Sequence, residues 1–355
     1  MILIIKGREP ISKISIFNSK EIFRNLLFFG GFIIITFYCL VLFMPWKTSN
    51  TLQQVYVTIH RGMTPRDIAS LLEDKNIIAN RHFFVLGAKL LGVSRKLQAG
   101  KYSFNGSMSN YVVLKKFYEG DILTKKITIP EGLTANRIAK ILNNTVGIDS
   151  SRFMDFVNNP KLCDSLGINA QSLEGYLYPN TYRFYEDISA ERVITHLIHN
   201  FKNEFNDTLQ HRAEEMDMKV HEVVTLASIV QGEVMVDKER PIIAALYLNR
   251  LEKGMRLQAD PCIQYIIDGG PRRLLDKDLE IDSPYNTYMY SGLPPGPVNN
   301  PGIASIRAVL FPAQVNYLFM VANGDGTHTF SESLLEHNRA KLKFDRYRNK
   351  VNRKK

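Results

Sequence analysis

The sequence predicts an α+β chain in three parts: a single transmembrane helix, a small strand-and-helix module, and a larger mixed α+β domain. Three observations lead there. Residues 26–44, LLFFGGFIIITFYCLVLFM, form an uncharged apolar run of the length a helix needs to cross a bilayer core. One pattern occurs twice, VTIHRGMTPRDIASLL at 57–72 and ITIPEGLTANRIAKIL at 127–142, and each copy reads as strand, turn and capped helix. Further on, helical periodicity dominates, broken by loops rich in Pro and Gly.

The 355 residues give room for two or three domains, and 45% apolar with 23% charged residues describes a folded protein. A net charge of +10 points to anionic surroundings. The basic residues are scattered apart from those in 341–355, and no nucleic-acid motif accompanies them, so a membrane face or an anionic wall polymer fits better than nucleic acid. Cys39 lies in the apolar run, while Cys163 and Cys262 are far apart and lack metal-ligand spacing. No zinc site and no disulfide framework are expected, and a single Cys163 to Cys262 bridge stays open. There is no P-loop, dinucleotide fingerprint, HExxH or GxSxG, so neither metal nor cofactor is expected.

In chain order, residues 1–25 carry Lys6, Arg8, Lys13, Lys20 and Arg24 against Glu9 and Glu21, which places this segment in the cytoplasm by the positive-inside rule. The span is set at 26–46, with Trp46 and Lys47 at its far edge and everything after it outside the cell. A cleaved signal peptide is the competing interpretation, but MPWKTSN offers no small-x-small cleavage site. A polar linker, 47–54, leads to the module, 55–120. In each copy of the repeat, Gly62 or Gly132 makes the turn and Thr64 or Thr134 stands at the helix N-cap. The module continues with a helix at 81–91, a strand at 101–104 and a helix at 109–119 that Gly120 ends.

The larger domain is set at 121–345. It is helical over 144–164, then carries EGYLYPNTYRF at 174–184, with Tyr176, Tyr178, Tyr182 and Phe184 around Pro179 and Asn180. Aromatic faces beside amides and hydroxyls suit a sugar cleft, and equally an aromatic corner in a core. Helices at 190–205 and 207–216 precede two more within 221–254. In the first of these, Leu226, Ile229, Val230 and Glu233 fall on one side, so a carboxyl sits in the apolar stripe. Apolar neighbours disfavour the charged form and suit a general acid; alternatively, Glu233 ends the helix and pairs with Lys238 or Arg240. Asp237 is expected to cap the second helix, with Pro241 in its first turn.

Residues 256–267 put Gln258 and Asp260 on a strand end or turn before Pro261. The stiff loop SPYNTYMYSGLPPGPVNNPG, 283–302, fixes Tyr285, Asn286, Thr287 and Tyr288, as a substrate-positioning surface or a structural crossover. Residues 316–331 read as a hairpin that leaves His328 near Phe330, followed by a helix at 334–348 and a basic tail, 346–355.

The blocks LASIVQGEV, ERP, YLNRL, GMRLQADP, SPYNTY, SGLPPGPVNNPG and HTF, in this order within 174–338, resemble the MltG (YceG-like) family of membrane-anchored endolytic murein transglycosylases. That family carries a Glu-x-Glu pair where this chain has Gln231 and Glu233; the first Glu is replaced and the second is kept. The resemblance implies that 121–345 is a catalytic domain with Glu233 as its catalytic carboxyl. It implies cleavage of the MurNAc-GlcNAc bond of nascent peptidoglycan strands near the membrane, leaving 1,6-anhydroMurNAc ends and terminating elongation. Gln231, Tyr178, Asn180, Gln258, Asp260, Asn286, Tyr288 and His328 are the candidates to hold the sugars, and peptidoglycan synthases are candidate partners. The pattern V-x-x-x-x-G-x-T-x-x-x-I-A at the start of 55–120 resembles a LysM-like module, a fold associated with N-acetylglucosamine polymers; the alternative is a spacer that binds nothing. Two other functions remain open on the sequence: a hydrolase using Glu233 with Asp260, and a non-catalytic wall-binding scaffold.

Overall fold

The computed structural model describes residues 19–43, 54–106, 108–186 and 188–352. They form two compact units that divide between Leu123 and Thr124. The first opens with α1, Ser19–Phe43, within which Phe23–Phe43 is a 21-residue apolar span of mean hydropathy 2.6. Phe28, Phe32, Ile34 and Ile35 leave most of their side-chain surface uncovered by protein, which lipid would cover at little cost. Lys6, Arg8, Lys13, Trp46, Lys47 and most of the 47–54 linker lie outside the described residues.

After α1 come β1 (Gln54–Ile59), α2 (Pro65–Asp74), α3 (Arg81–Leu90), β2 (Gly100–Asn105) and α4 (Asn110–Glu119). β1 and β2 pair antiparallel with Val57 opposite Tyr102 and Val55 opposite Phe104. Strand alternation turns Val57 and Ile59 inward to meet Ile68, Leu72, Phe84 and Phe117 from the helices. Thr64 caps α2 by accepting from Asp67 N while Asp67 Oδ2 accepts from Thr64 N, a reciprocal pair that satisfies two end donors.

The second unit begins with β3 (Thr124–Thr128), followed by α5 (Ala135–Val146), α6 (Ser150–Val157), α7 (Pro160–Ser165) and β4 (Thr181–Tyr185), which returns antiparallel to β3. Then come α8 (Ala190–Glu204), α9 (Asp207–Glu215), α10 (Val220–Glu233), α11 (Arg240–Glu252), α12 (Asp260–Ile266) and α13 (Ile303–Leu310). A hairpin of β5 (Phe319–Ala322) and β6 (His328–Ser331) precedes α14 (Leu334–Asn352). The architecture is thus mixed α+β with one apolar N-terminal helix. Cys163 and Cys262 are both buried and free, so the bridge left open above is not formed.

Several local expectations change. α10 is not amphipathic: every residue from Val223 to Val230 is buried, because α9, α11, α12 and α13 all pack against it. Thr134 stands at the N-cap of α5 but makes no side-chain cap bond; the Glu174 carboxylate accepts from Ala135 N instead, at 3.0 and 3.1 Å. Asp237 does not cap α11 with its side chain. It opens a 3-10 turn and accepts from the Arg240 guanidinium at 2.6 Å. Asp260 is the first residue of a helix rather than part of a strand end or turn, and α14 continues to Asn352, past the helix end expected at 348.

Candidate active site

α10 is the buried axis of the second unit, and its last residue is Glu233. The partial negative charge at a helix C-terminus disfavours a carboxylate there. Tyr247, one helix further on, donates its hydroxyl to Glu233 Oε1 at 3.0 Å, and the Asp260 backbone N–H donates to the same carboxyl. Burial and then the neighbouring Asp260 charge raise the Glu233 pKa from 4.5 to about 7, against the opposing effect of these two bonds and of Arg250. At neutral pH the group is thus divided between acid and conjugate base. It remains partly exposed, and it opens onto a groove of about 720 Å³.

The start of α5 forms one wall of the groove with Thr134, Asn136, Arg137 and Lys140, and α12 with the 268–271 turn forms the other. Arg137 Nη2 donates to Gly270 O at 2.8 Å and ties the walls together. The floor holds Gly232, Glu233, Val298 and Asn299. Gly232 permits this floor, since a Cβ there would lie 2.6 Å from the ring of Pro261 on α12. Behind it, Ser228 accepts from Val298 N at 2.9 Å and its carbonyl accepts from Asn299 Nδ2 at 2.8 Å. Asn299 is 5% exposed, and its Oδ1 has no hydrogen-bond partner among the described residues. A flip of the amide would set Oδ1 against Ser228 O, so the unpaired atom is the acceptor.

The residues singled out from sequence are dispersed. Glu233 and Asp260 meet in the groove; Tyr288 is not part of its lining but donates to Asp260 Oδ1 at 2.6 Å. Gln258 is exposed, in a left-handed backbone conformation, with its N–H on Thr287 O at 3.0 Å. Gln231 Oε1 is occupied by Arg240, Gly302 N and Ser305. Asn286 is fully buried; its amide donates to Leu279 O and Ile281 O and accepts from Tyr288 N, which shapes the loop. Tyr178 packs in the core, and Asn180 Oδ1 accepts from Thr181 N on a turn. His328 Nδ1 faces Glu239 Oε2 at 2.7 Å, both side chains nearly buried. Of these candidates only Glu233 and Asp260 line the groove; internal packing and hydrogen bonds claim Tyr178, Asn286 and His328, while Asn180 is exposed away from it.

Sequence reasoning missed Tyr247, Asn299 and Glu174. Tyr247 and Asn299 lie inside the quoted blocks YLNRL and SGLPPGPVNNPG, but only the crossing of α10 by α11 and the Ser228 contact bring them to Glu233. Glu174 is a second buried carboxyl, held by Ala135 N and by Asn300 Nδ2 at 2.7 Å, and burial raises its pKa to about 7. It keeps a proton in the folded state up to pH values at which the unfolded chain has lost it. The stabilising effect is fully present below about pH 4.5 and is lost as pH rises through about 7. Glu174→Gln is therefore expected to flatten the fall of Tm across this window, read by thermal melts at several pH values.

The YceG-like family profile matches residues 57–343. The endolytic murein transglycosylase of Bacillus subtilis (strain 168) is 34% identical over 314 residues, covering 84% of this chain and 86% of that protein. That of Streptococcus pneumoniae serotype 2 is 28% identical over 323 residues; the match covers 82% of this chain and 58% of the pneumococcal protein. Among solved structures, the crystal structure of a putative YceG-like protein from Listeria monocytogenes has a TM-score of 0.58 and 34% identity, over 81% of this chain and 99% of that one. The chain, matched over most of its length and with Glu233 at the floor of its groove, belongs to the YceG-like family.

Proposed function

We propose that the chain is a membrane-anchored endolytic murein transglycosylase, a lyase that cuts within nascent peptidoglycan strands. The observation that carries this is a carboxyl, Glu233, poised to hold or release a proton at neutral pH at the floor of a groove of about 720 Å³, a volume in the range of ligand clefts. Protonated Glu233 gives its proton to the glycosidic oxygen as that oxygen leaves C1 of MurNAc. The carboxylate so formed takes the proton of the C6 hydroxyl of the same sugar, whose oxygen closes on C1 as a 1,6-anhydro ring. No water enters, and Glu233 ends protonated as it began. Tyr247 orients the carboxyl, and the unpaired Asn299 Oδ1 supplies an acceptor for a sugar hydroxyl or an acetamido N–H. Arg137 and Lys140 favour anionic substituents on the strand.

The cytoplasmic N-terminus and extracytoplasmic catalytic domain follow the charge bias around α1. The order β1, α2, α3, β2, with the outer strands paired, supports the assignment of 55–120 as LysM-like.

A second interpretation rests on Asp260, which lines the same groove: a two-carboxylate hydrolase. Length analysis of long glycan strands treated with purified protein tests the proposal and separates the two. The wild type is expected to shorten strands by internal cuts, with activity falling as pH rises through about 7 and Glu233 loses its proton. Asp260→Asn removes a charge that raises the Glu233 pKa, so this limb moves to lower pH while activity falls by less than about tenfold. Complete loss in Asp260→Asn favours the hydrolase, and retention of strands without shortening by the wild type contradicts both.

A further inference from the structure

The last turns of α1 do not stand free of the module that follows. Val41 and Leu42 are 1% exposed, and Leu42 is seated against Gly87 of α3, where an added Cβ would lie 3.0 Å from Leu42 Cδ2. Phe37 meets Phe83 of α3 edge to face, with ring centroids 6.4 Å apart. Phe43 meets Tyr111 of α4 at 5.1 Å. Asn110, the first residue of α4, donates Nδ2 to Val41 O at 2.8 Å. That carbonyl is among the last four of α1, which have no partner within the helix, and in hydrocarbon a carbonyl without a donor is strongly disfavoured.

These contacts fix a depth. The 21-residue span Phe23–Phe43 is about 31 Å long at the helical rise, close to the roughly 30 Å of a hydrocarbon core. The module touches α1 from Phe37 to Phe43, about 9 Å of helix. If α1 crosses the bilayer, the face of the module formed by α3 and α4 therefore lies below the outer edge of the apolar layer. Its composition suits that position. Phe83 and Leu90 share a stripe of α3 with Gly87 and are 42% and 47% exposed; Tyr111 and Val112 of α4 are 37% and 41% exposed. Arg81, Lys89 and Lys115 on the same two helices are exposed, Arg81 lying 3.7 Å from Glu73 and Lys115 3.7 Å from Glu119, and long basic side chains of this kind suit the headgroup level of an interfacial helix.

We infer that this α3 and α4 face is a membrane-binding surface, which seats the small module in the outer phospholipid interface around the end of α1. The inference rests on α1 being a membrane anchor. The module then acts as a fixed collar that closes the helix end and sets the height at which the chain leaves the bilayer.

Single-tryptophan reporters in the full chain test it. Trp46 is the one tryptophan and is first changed to Phe. Ile34→Trp, Phe83→Trp, Tyr111→Trp and Tyr56→Trp are then reconstituted into phospholipid vesicles carrying lipids brominated at shallow or deep acyl positions. Tyr56, on the outer face of the β1 and β2 pair, is the reference for water. Phe83→Trp and Tyr111→Trp are expected to lose roughly half their emission to shallow bromine, Ile34→Trp to be quenched by deep bromine, and Tyr56→Trp to be unaffected. Leu90→Trp and Val112→Trp, at similarly exposed positions, repeat the measurement without replacing a ring that packs on α1. Quenching of Ile34→Trp alone overturns the collar and keeps the anchor; failure at Ile34→Trp overturns the anchor itself. Oxidative disulfide cross-linking between copies carrying Leu90→Cys, without quenching of the tryptophan reporters, would assign the face to a second chain and overturn the proposal.

Discussion

Glu233→Gln is expected to reduce strand cleavage by at least about a thousandfold, because one side chain is lost as acid in the first half of the reaction and as base in the second. The fold should survive. Gln keeps an oxygen to accept from Tyr247 and from the Asp260 N–H, and it removes a group whose ionised form burial disfavours. The sign of the stability change follows from the direction of the pKa shift. Native Glu233 holds its proton to about pH 7, whereas the unfolded chain releases it near 4.5, so its contribution to stability declines over that interval as pH rises. Above pH 7 the Gln variant should melt no lower than the wild type, and below 4.5 the two should coincide. A thermal melt paired with a cleavage assay therefore separates lost chemistry from lost structure.

Gly232→Ala, which adds one methyl group, is expected to cost about 1–3 kcal/mol of stability by overpacking and at least about a hundredfold in cleavage. The added Cβ would lie 2.6 Å from two ring carbons of Pro261, and Pro261 is itself buried in the first turn of α12, with no flexible end to move aside. α12 must shift, taking with it the Asp260 N–H that donates to Glu233 and the Asp260 carboxylate that holds Tyr288. Chemical denaturation measures the first effect. The kcat of the folded variant measures the second, and an active variant of wild-type stability would show that the contact of α10 with α12 does not shape the groove.

Much of the architecture was legible because it follows from local rules. The apolar run, the two turn glycines, the Thr64 cap and the hairpin before His328 each depend on a few neighbouring residues. Glu233 was legible as an oddly placed carboxyl, although for a reason that needed correcting: α10 is buried on every side from Val223 to Val230, and the acid is special because it ends the helix at a groove rather than because it interrupts a stripe. What remained hidden depended on contacts distant in sequence. Asn286 and Tyr178 have the side chains of sugar ligands, and only the fold shows their polar or aromatic groups committed inward. Tyr247 and Asn299 look unremarkable until α11 crosses α10 and Ser228 fixes the amide. The Thr134 cap failed because Glu174, forty residues further on, reaches Ala135 N first.

The mass of the new strand ends formed in water enriched in heavy oxygen bears most directly on the chemistry assigned to Glu233. Products that all end in 1,6-anhydroMurNAc and carry no solvent oxygen are predicted. Reducing ends bearing one heavy oxygen per cut would mean that water attacks C1 and that a carboxyl working without water is the wrong mechanism.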